Sequence, residues 1–195
     1  MTTKDRNQTE RRILDAVGKI VETEGFEAVG VNAVASVSGV SKVLIYRYFG
    51  SIEQLLAKYL EDNDFWLNTE FPIQQYNNVK EFSKAVFRAY IDMLRKSPAL
   101  RKLYRWELTT DNPAIAGLRE RRERTAMDII NAVSRQSGQD VDQVAGISTL
   151  ITGSVSYLCI LAENCAVYNS LEINSDSGWD KLLKTIDFMF DKIFD

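Results

Sequence analysis

Histidine is absent from all 195 residues of the chain. That absence removes histidine-dependent catalytic triads and histidine-ligated metal centres from consideration. Cysteine is nearly absent too. The two present, Cys159 and Cys165, stand six residues apart in an apolar stretch. On a helix that spacing turns them about 240° from one another. They match neither a zinc spacing nor a CxxC redox pair, and read as small buried hydrophobes. No catalytic residue, metal or cofactor is expected. Runs of about 20 apolar residues are missing as well. The N-terminal "MTTKDRNQTERR" is polar and leads into no apolar core segment, so neither a signal peptide nor a membrane-spanning helix is indicated. The expected location is cytoplasmic, with no membrane partner.

With only three prolines and ten glycines, few breaks interrupt the chain. Apolar residues recur at intervals of three and four almost throughout, which predicts an all-α protein. Its hydrophobic content of 45% is ample for a core. A first helix is expected from near Thr9, carrying Ile13, Ala16, Val17, Ile20 and Val21 on one face and stopping at Gly25. A short second helix covers about 32–37, and Gly39 makes a turn. Ser41 caps a third helix that ends at Phe49 and Gly50. Ser51-Ile52-Glu53-Gln54 has the form of a capping box opening a fourth helix towards Trp66. Further on, Val79, Phe82, Val86, Tyr90 and Leu94 form one stripe of a long amphipathic helix. Pro98 and Pro113 sit where helices restart, giving a short helix over 100–108 and a long one over 114–136. Two more are expected, over 140–168 and 177–194.

The second and third helices, joined by "SGVS", have the length and turn chemistry of a helix-turn-helix over about 30–49, whose second helix enters the major groove. Val40, Ile45 and Phe49 would hold the third helix to its scaffold, while Lys42, Val43, Tyr46 and Arg47 project elsewhere. The first 60 residues hold eight Lys and Arg against seven Asp and Glu, so the domain is not basic in bulk. The asymmetry is local: no acidic residue stands between Gly39 and Ile52. From charge alone, such a helix is more often a solvated face than a DNA reader. Two other readings stay open on composition. A helical small-molecule enzyme would have to rely on carboxylates or lysine, yet no pair such as Glu107 with Asp111 has a spacing that demands catalysis. A protein-interaction module would use the same N-terminal helices on a protein partner.

The stretch "TERRILDAVGKIVETEGFEAVGVNAVASVSGVSKVLIYRYFGSIEQLL" resembles the N-terminal DNA-binding domain of TetR-family transcriptional regulators, in the order of its elements and in its "GVSK..IYRYF.S.E.L" core. The resemblance implies a DNA-binding domain over 7–66, with three helices building the helix-turn-helix scaffold. It implies a helical effector-binding and dimerisation domain over 67–195. It further implies a homodimer on double-stranded operator DNA, with an inverted repeat, repression near a promoter, and release by a small-molecule effector. By position, Lys42 and Val43 would lie nearest the base edges, and Tyr46 and Arg47 would reach bases or phosphates. Tyr48 would bond a backbone phosphate, Ser41 would cap the reading helix, and the amides after Ser51 would meet another phosphate. Three residues depart from the family pattern. Val31 replaces a common capping Thr or Ser, leaving Asn32 to cap. Leu44 replaces small or polar residues, suiting a thymine methyl or added packing. Ile52 replaces a frequent lysine and removes one phosphate contact.

Beyond residue 66 no motif is nameable. The 140–168 segment mixes Gly146, Gly153, Ser154 and Ser156 with Ile147, Leu150, Ile151, Val155 and Leu158, a composition that lets helices approach closely and suits a dimer interface as well as a core. Phe87, Tyr90, Trp106 and Tyr157 are the candidate effector-contacting aromatics, with Arg105 and Glu107 flanking Trp106. An aromatic stripe is nevertheless core more often than pocket. The run "RERRER" at 119–124 alternates sign and reads as a solvated helix face.

Overall fold

The computed structural model describes residues 3–194, and among them the fold is all-α, with ten helices and two single 3-10 turns. The helices are α1 (Thr3–Thr23), α2 (Val31–Ser38), α3 (Lys42–Phe49), α4 (Ile52–Asn63), α5 (Phe65–Asn68), α6 (Val79–Lys96), α7 (Pro98–Glu107), α8 (Pro113–Ser137), α9 (Val141–Leu161) and α10 (Asp176–Ile193). They divide between two compact units. The first gathers the chain through Asn68 with Pro98–Arg122; the second holds Thr69–Ser97 with the chain from Glu123 onward.

The first unit is built on the apolar face of α1. Ile13, Val17, Ile20 and Val21 are buried there with Val34 of α2, Ile45 of α3 and Leu55 and Leu60 of α4. Between α2 and α3 the chain turns at Gly39, whose φ of 66° and ψ of 20° are left-handed. A residue without a Cβ takes that conformation at no steric cost. Two side chains fix the turn. The Arg12 guanidinium donates to the Ser38 carbonyl at 2.8 Å, and the Val40 amide donates to the Ser38 hydroxyl at 3.2 Å.

Helix α7 belongs to this unit as well. Trp106 stacks on Phe26 with ring centroids 4.8 Å apart and planes 7° from parallel. Lys102 donates to the carbonyls of Val21 and Glu22 at the end of α1, where a cation meets the negative end of the helix dipole. The third tie is ionic. Asp64, with its side chain 0% exposed, accepts from Arg122 Nε at 2.7 Å through Oδ2, while its Oδ1 accepts the Trp66 and Leu67 amides and caps α5. Arg122 Nη1 donates to Glu107 at 2.7 Å, Arg119 bonds the same carboxylate at 2.9 Å, and the Arg122 guanidinium lies 4.7 Å from the Tyr104 ring. Burial alone would lower the Arg122 pKa, but Tyr104, Asp64 and Glu107 more than reverse it and leave it raised.

The second unit packs α6 against α9 and α10. Cations on α6 meet acids on α10 in antiparallel order: Lys84 with Asp191 at 2.6 Å, Arg88 with Asp187, and Arg95 with Asp176 at 2.5 Å. Pairs this exposed contribute little each, about 0–1 kcal/mol, and act mainly on register. The apolar contacts beneath carry more, among them Phe87 on Phe190 at 5.5 Å. Trp179 is buried with its indole N–H on the Ile173 carbonyl at 2.7 Å. Gly178 permits that approach, since a Cβ there would stand 2.0 Å from the Glu172 carbonyl oxygen.

Several expectations from the sequence are corrected. Helix α1 starts at Thr3, about two turns before Thr9; the Thr9 hydroxyl bonds the Asp5 carbonyl at 2.9 Å inside the helix and does not cap it. Asn32 does not cap α2, which starts at Val31 after Gly30 with no side-chain cap bond. Asp64 ends α4 before Trp66. Helix α9 stops at Leu161, short of Tyr168, and Tyr168 instead pairs with Leu171 across a two-residue turn with Asn169 and Ser170 at positive φ. Cys165 therefore lies outside the helix and is half-buried, its thiol 3.1 Å from the Val167 carbonyl; Cys159 is buried as expected. The 119–124 run is not wholly a solvated face, because Arg122 sits in the ion cluster with Asp64 and Glu107. Although α9 lacks a continuous apolar run, its length and composition would suffice to cross a membrane, and 22% of its most apolar window is buried.

Two outcomes follow for stability. Asp64→Ala leaves Arg122 facing one acid fewer in a dry site and uncaps α5, and should lower unfolding free energy by about 3–5 kcal/mol in denaturant titration. Gly39→Ala forces a Cβ into the left-handed region, 3.4 Å from Arg12 Nη2, and should cost about 1–2 kcal/mol in the same measurement.

Candidate nucleic-acid interface

Helix α3 is eight residues long and has two unlike faces. Ile45 is fully buried, and Val40, just before the helix, is buried with it. Phe49 is partly covered and lies beside Tyr48, ring centroids 6.4 Å apart. Toward solvent the helix presents Ser41, Lys42, Val43, Tyr46 and Arg47, all exposed. Val43 at 79% and Tyr46 at 45% exposure leave apolar surface open to solvent. Leu44, Tyr48 and Ser51 are partly buried at the rim of this face.

The ends of α3 are fixed by local chemistry. The Ser41 side chain accepts the Leu44 amide at 3.3 Å and caps the helix start. Gly50, at φ 79°, closes the other end with its amide on the Tyr46 carbonyl at 2.7 Å. One residue later the Ser51 hydroxyl accepts the Gln54 amide at 3.1 Å and opens α4. Both serine oxygens thus serve as caps. The Ser51 hydroxyl and the residue's own backbone amide hold the Glu53 carboxyl below its usual pKa, so the first turn of α4 carries an ionised carboxylate. Arg47, in the last turn of α3, faces the negative helix end.

What this surface can do is bind a polyanion through its donors and read a groove through its side-chain tips. Lys42 and Val43, at the start of α3, occupy the positions that contact base edges when such a helix enters a major groove. Tyr46 and Arg47 stand one turn on. Arg12 and Arg6, both on α1, were not singled out from the sequence. Arg12 holds the turn through Ser38, and the Arg6 guanidinium lies 5.8 Å from the centre of the Tyr48 ring. The available signal was their place on the polar side of α1, which alone does not say what they touch.

Of the four candidate effector aromatics, Phe87, Tyr90 and Tyr157 lie in the second unit and Trp106 in the first. Phe87 is buried against Phe190, and Tyr90 is fully buried with its hydroxyl 2.6 Å from the Ser156 hydroxyl, both in the second unit. Tyr157, next to Ser156 on α9, is 53% exposed and meets Tyr168 edge to face. Trp106 belongs to the first unit, stacked on Phe26. Glu107 is held by Arg119 and Arg122. Among the described residues, no group of three or more Cys, Asp or Glu is placed to hold a metal ion.

Comparison with known proteins bears on the same helices. The family model "Bacterial regulatory proteins, tetR family" matches residues 13–59, from the middle of α1 to α4. Two uncharacterized HTH-type transcriptional regulators of Mycobacterium tuberculosis are 29% identical over 108 residues, which is 54% of this chain and 52% of theirs. The match thus spans about half the length of those relatives. The fold extends further. The transcriptional regulator FadR from Bacillus subtilis, solved in complex with stearoyl-CoA, aligns with TM-score 0.68 at 19% identity over 92% of this chain and 96% of that one. Salmonella enterica GusR aligns with TM-score 0.65 at 19% identity, over 96% and 95%. The family model falls on the helices that carry the interface, so this N-terminal segment is similar to the TetR family of bacterial regulatory proteins.

Proposed function

We propose that the chain is a homodimeric, sequence-specific DNA-binding repressor that leaves its operator when a small molecule binds its helical C-terminal region. The observation that carries the DNA-binding half is the division of α3: Ile45 buried on one side, Lys42, Val43, Tyr46 and Arg47 exposed on the other. In this reading Lys42 and Val43 read base edges, Tyr46 and Arg47 contact bases or phosphates, Tyr48 contacts a phosphate, and Ser41, Leu44 and Ser51 frame them.

Helix α9 supports the dimer. Val144, Ile151, Val155 and Cys159 form its buried side, while Gly146, Leu150, Gly153, Ser154 and Tyr157 are exposed. A Cβ added at Gly146 or Gly153 would meet nothing within 4 Å. Packing inside the chain therefore does not demand glycine at either position, whereas close approach of another helix would. Phe188 and Met189 of α10 are exposed as well. A two-fold dimer through these helices would place two reading helices on an inverted repeat.

For the effector, the supporting observation is the aromatic content of α6, Phe82, Phe87 and Tyr90, with the Tyr90–Ser156 hydroxyl pair joining it to α9 as a polar point. FadR, of the same fold, was solved with stearoyl-CoA, which supports a ligand-accepting helical domain and leaves this chain's ligand chemistry open. Release would then be a population shift, set by the difference in ligand affinity between the operator-competent state and the other.

Selection of duplexes from a random library with the purified protein should enrich an inverted repeat. Lys42→Ala and Tyr46→Ala should weaken binding to the enriched site by about tenfold or more, at about 1–3 kcal/mol per lost contact, without changing the dimer. Unchanged affinity in both variants would remove α3 from the interface. Leu150→Arg sets a charge in the middle of the exposed α9 stripe. Sedimentation should then show a monomer where the parent is a dimer.

A further inference from the structure

The start of α4 is a poor place for a phosphate in this chain. Its first turn holds Ile52, which carries no charge, and Glu53, whose carboxyl is held ionised by Ser51. In the operator-binding reading above, a cation beside the rim residue Tyr48 would strengthen the phosphate contact proposed there. The sequence supplies none between Arg47 and Lys58. The fold does. Arg6, exposed on the second turn of α1, places its guanidinium 5.8 Å from the Tyr48 ring centre, although 42 positions separate the two in the chain.

A guanidinium over an aromatic ring uses its face for the contact and keeps its N–H groups for other acceptors. The stack orders a long side chain that would otherwise lose rotamer freedom on binding, so part of the entropic cost of a phosphate contact is met before DNA arrives. The nearest acids along α1 are its neighbour Asp5 and, one turn on, Glu10. No ion pair joins either to Arg6 among the described contacts, whereas Lys58 with Asp62 and Lys96 with Asp92 do form such pairs.

We propose that Arg6 is a DNA-binding residue: steered by Tyr48, its guanidinium contacts a backbone phosphate beside the recognition helix and supplies the cation that Ile52 does not. The proposal rests on the operator-binding reading above and adds a residue from outside the helix-turn-helix. A phosphate contact carries no sequence information, so Arg6 would add to affinity and salt dependence without altering the sequence read.

The test is the salt dependence of operator affinity for the full chain, using the duplex enriched by selection. Each neutralised phosphate contributes about 0.9 to the slope of log K against log salt. Arg6→Gln should lower the slope by about that amount per protomer and weaken binding at low salt. Enriched sequence and thermal unfolding should stay unchanged. Arg6→Lys, which keeps the charge and loses the planar stack, should restore the slope. Tyr48→Leu in the Arg6→Gln background should cost less affinity than in the parent, because the steered cation is already gone. An unchanged slope in Arg6→Gln, with the parent binding its duplex, would overturn the assignment of Arg6 alone. Failure of the parent to bind any duplex would overturn the operator-binding reading and Arg6 with it.

Discussion

The buried ionic contact between Asp64 and Arg122 is the constraint on which the first unit turns. A carboxylate with no solvent exposure is tolerable only when its charge and lone pairs are all engaged. Asp64 meets that condition with two amides on Oδ1 and a guanidinium on Oδ2. Arg122 in turn needs Glu107, and Glu107 engages Arg119. The start of α5, the end of α7 and the early turns of α8 are thereby held by one connected set of charges. A helix-turn-helix of about 60 residues buries only about 60% of its unfolded surface and is marginal alone. Recruiting α7, with Trp106 on Phe26 and Lys102 on the end of α1, enlarges that core. The compact unit thus gathers the N-terminal stretch together with Pro98–Arg122.

That arrangement bears on how a reading helix can be both short and rigid. Eight residues are too few for a helix to hold in water by its own hydrogen bonds. Helix α3 depends instead on Ile45 in the α1 core, the Ser41 cap, and Gly39 and Gly50 at positive φ at its borders. Fixing the scaffold side frees the other side from any packing duty. The exposed Val43 side chain and the exposed part of Tyr46 would be poor choices for a surface that met only water.

The helix-turn-helix was legible because its signals are local. Gly39, the Ser41 and Ser51 caps and the 40/45 apolar spacing each act within a few residues, and the structure has all of them where the sequence suggests. What escaped depends on partners far along the chain. Arg122 reads as one more charge in an alternating run until Asp64, 58 residues earlier, is found beside it. The stacking of Trp106 on Phe26, 80 residues earlier, has no local signal in the sequence. Arg6 has no pattern of its own to announce Tyr48. The end of α9 was misplaced for a different reason: apolar periodicity continues through Val167 and Tyr168, and only the positive φ at Asn169 and Ser170 shows a turn there.

Helix α9 carries the sharpest tension between composition and environment. By length and composition alone it would suffice to cross a membrane, yet one side is already committed within the second unit. Val144, Ile151, Val155 and Cys159 are buried, and Ser156 is bonded to Tyr90 of α6. A helix packed against α6, which carries three ion pairs to α10, could not surround itself with lipid without taking those charges along, at a cost of several kcal/mol each. The apolar character of its other side therefore calls for a protein surface that brings its own apolar residues and tolerates close backbone approach at Gly146 and Gly153. In the proposed dimer a second copy of the same helix would meet both requirements by symmetry, with each exposed glycine of one protomer leaving room for a large side chain such as Leu150 of the other.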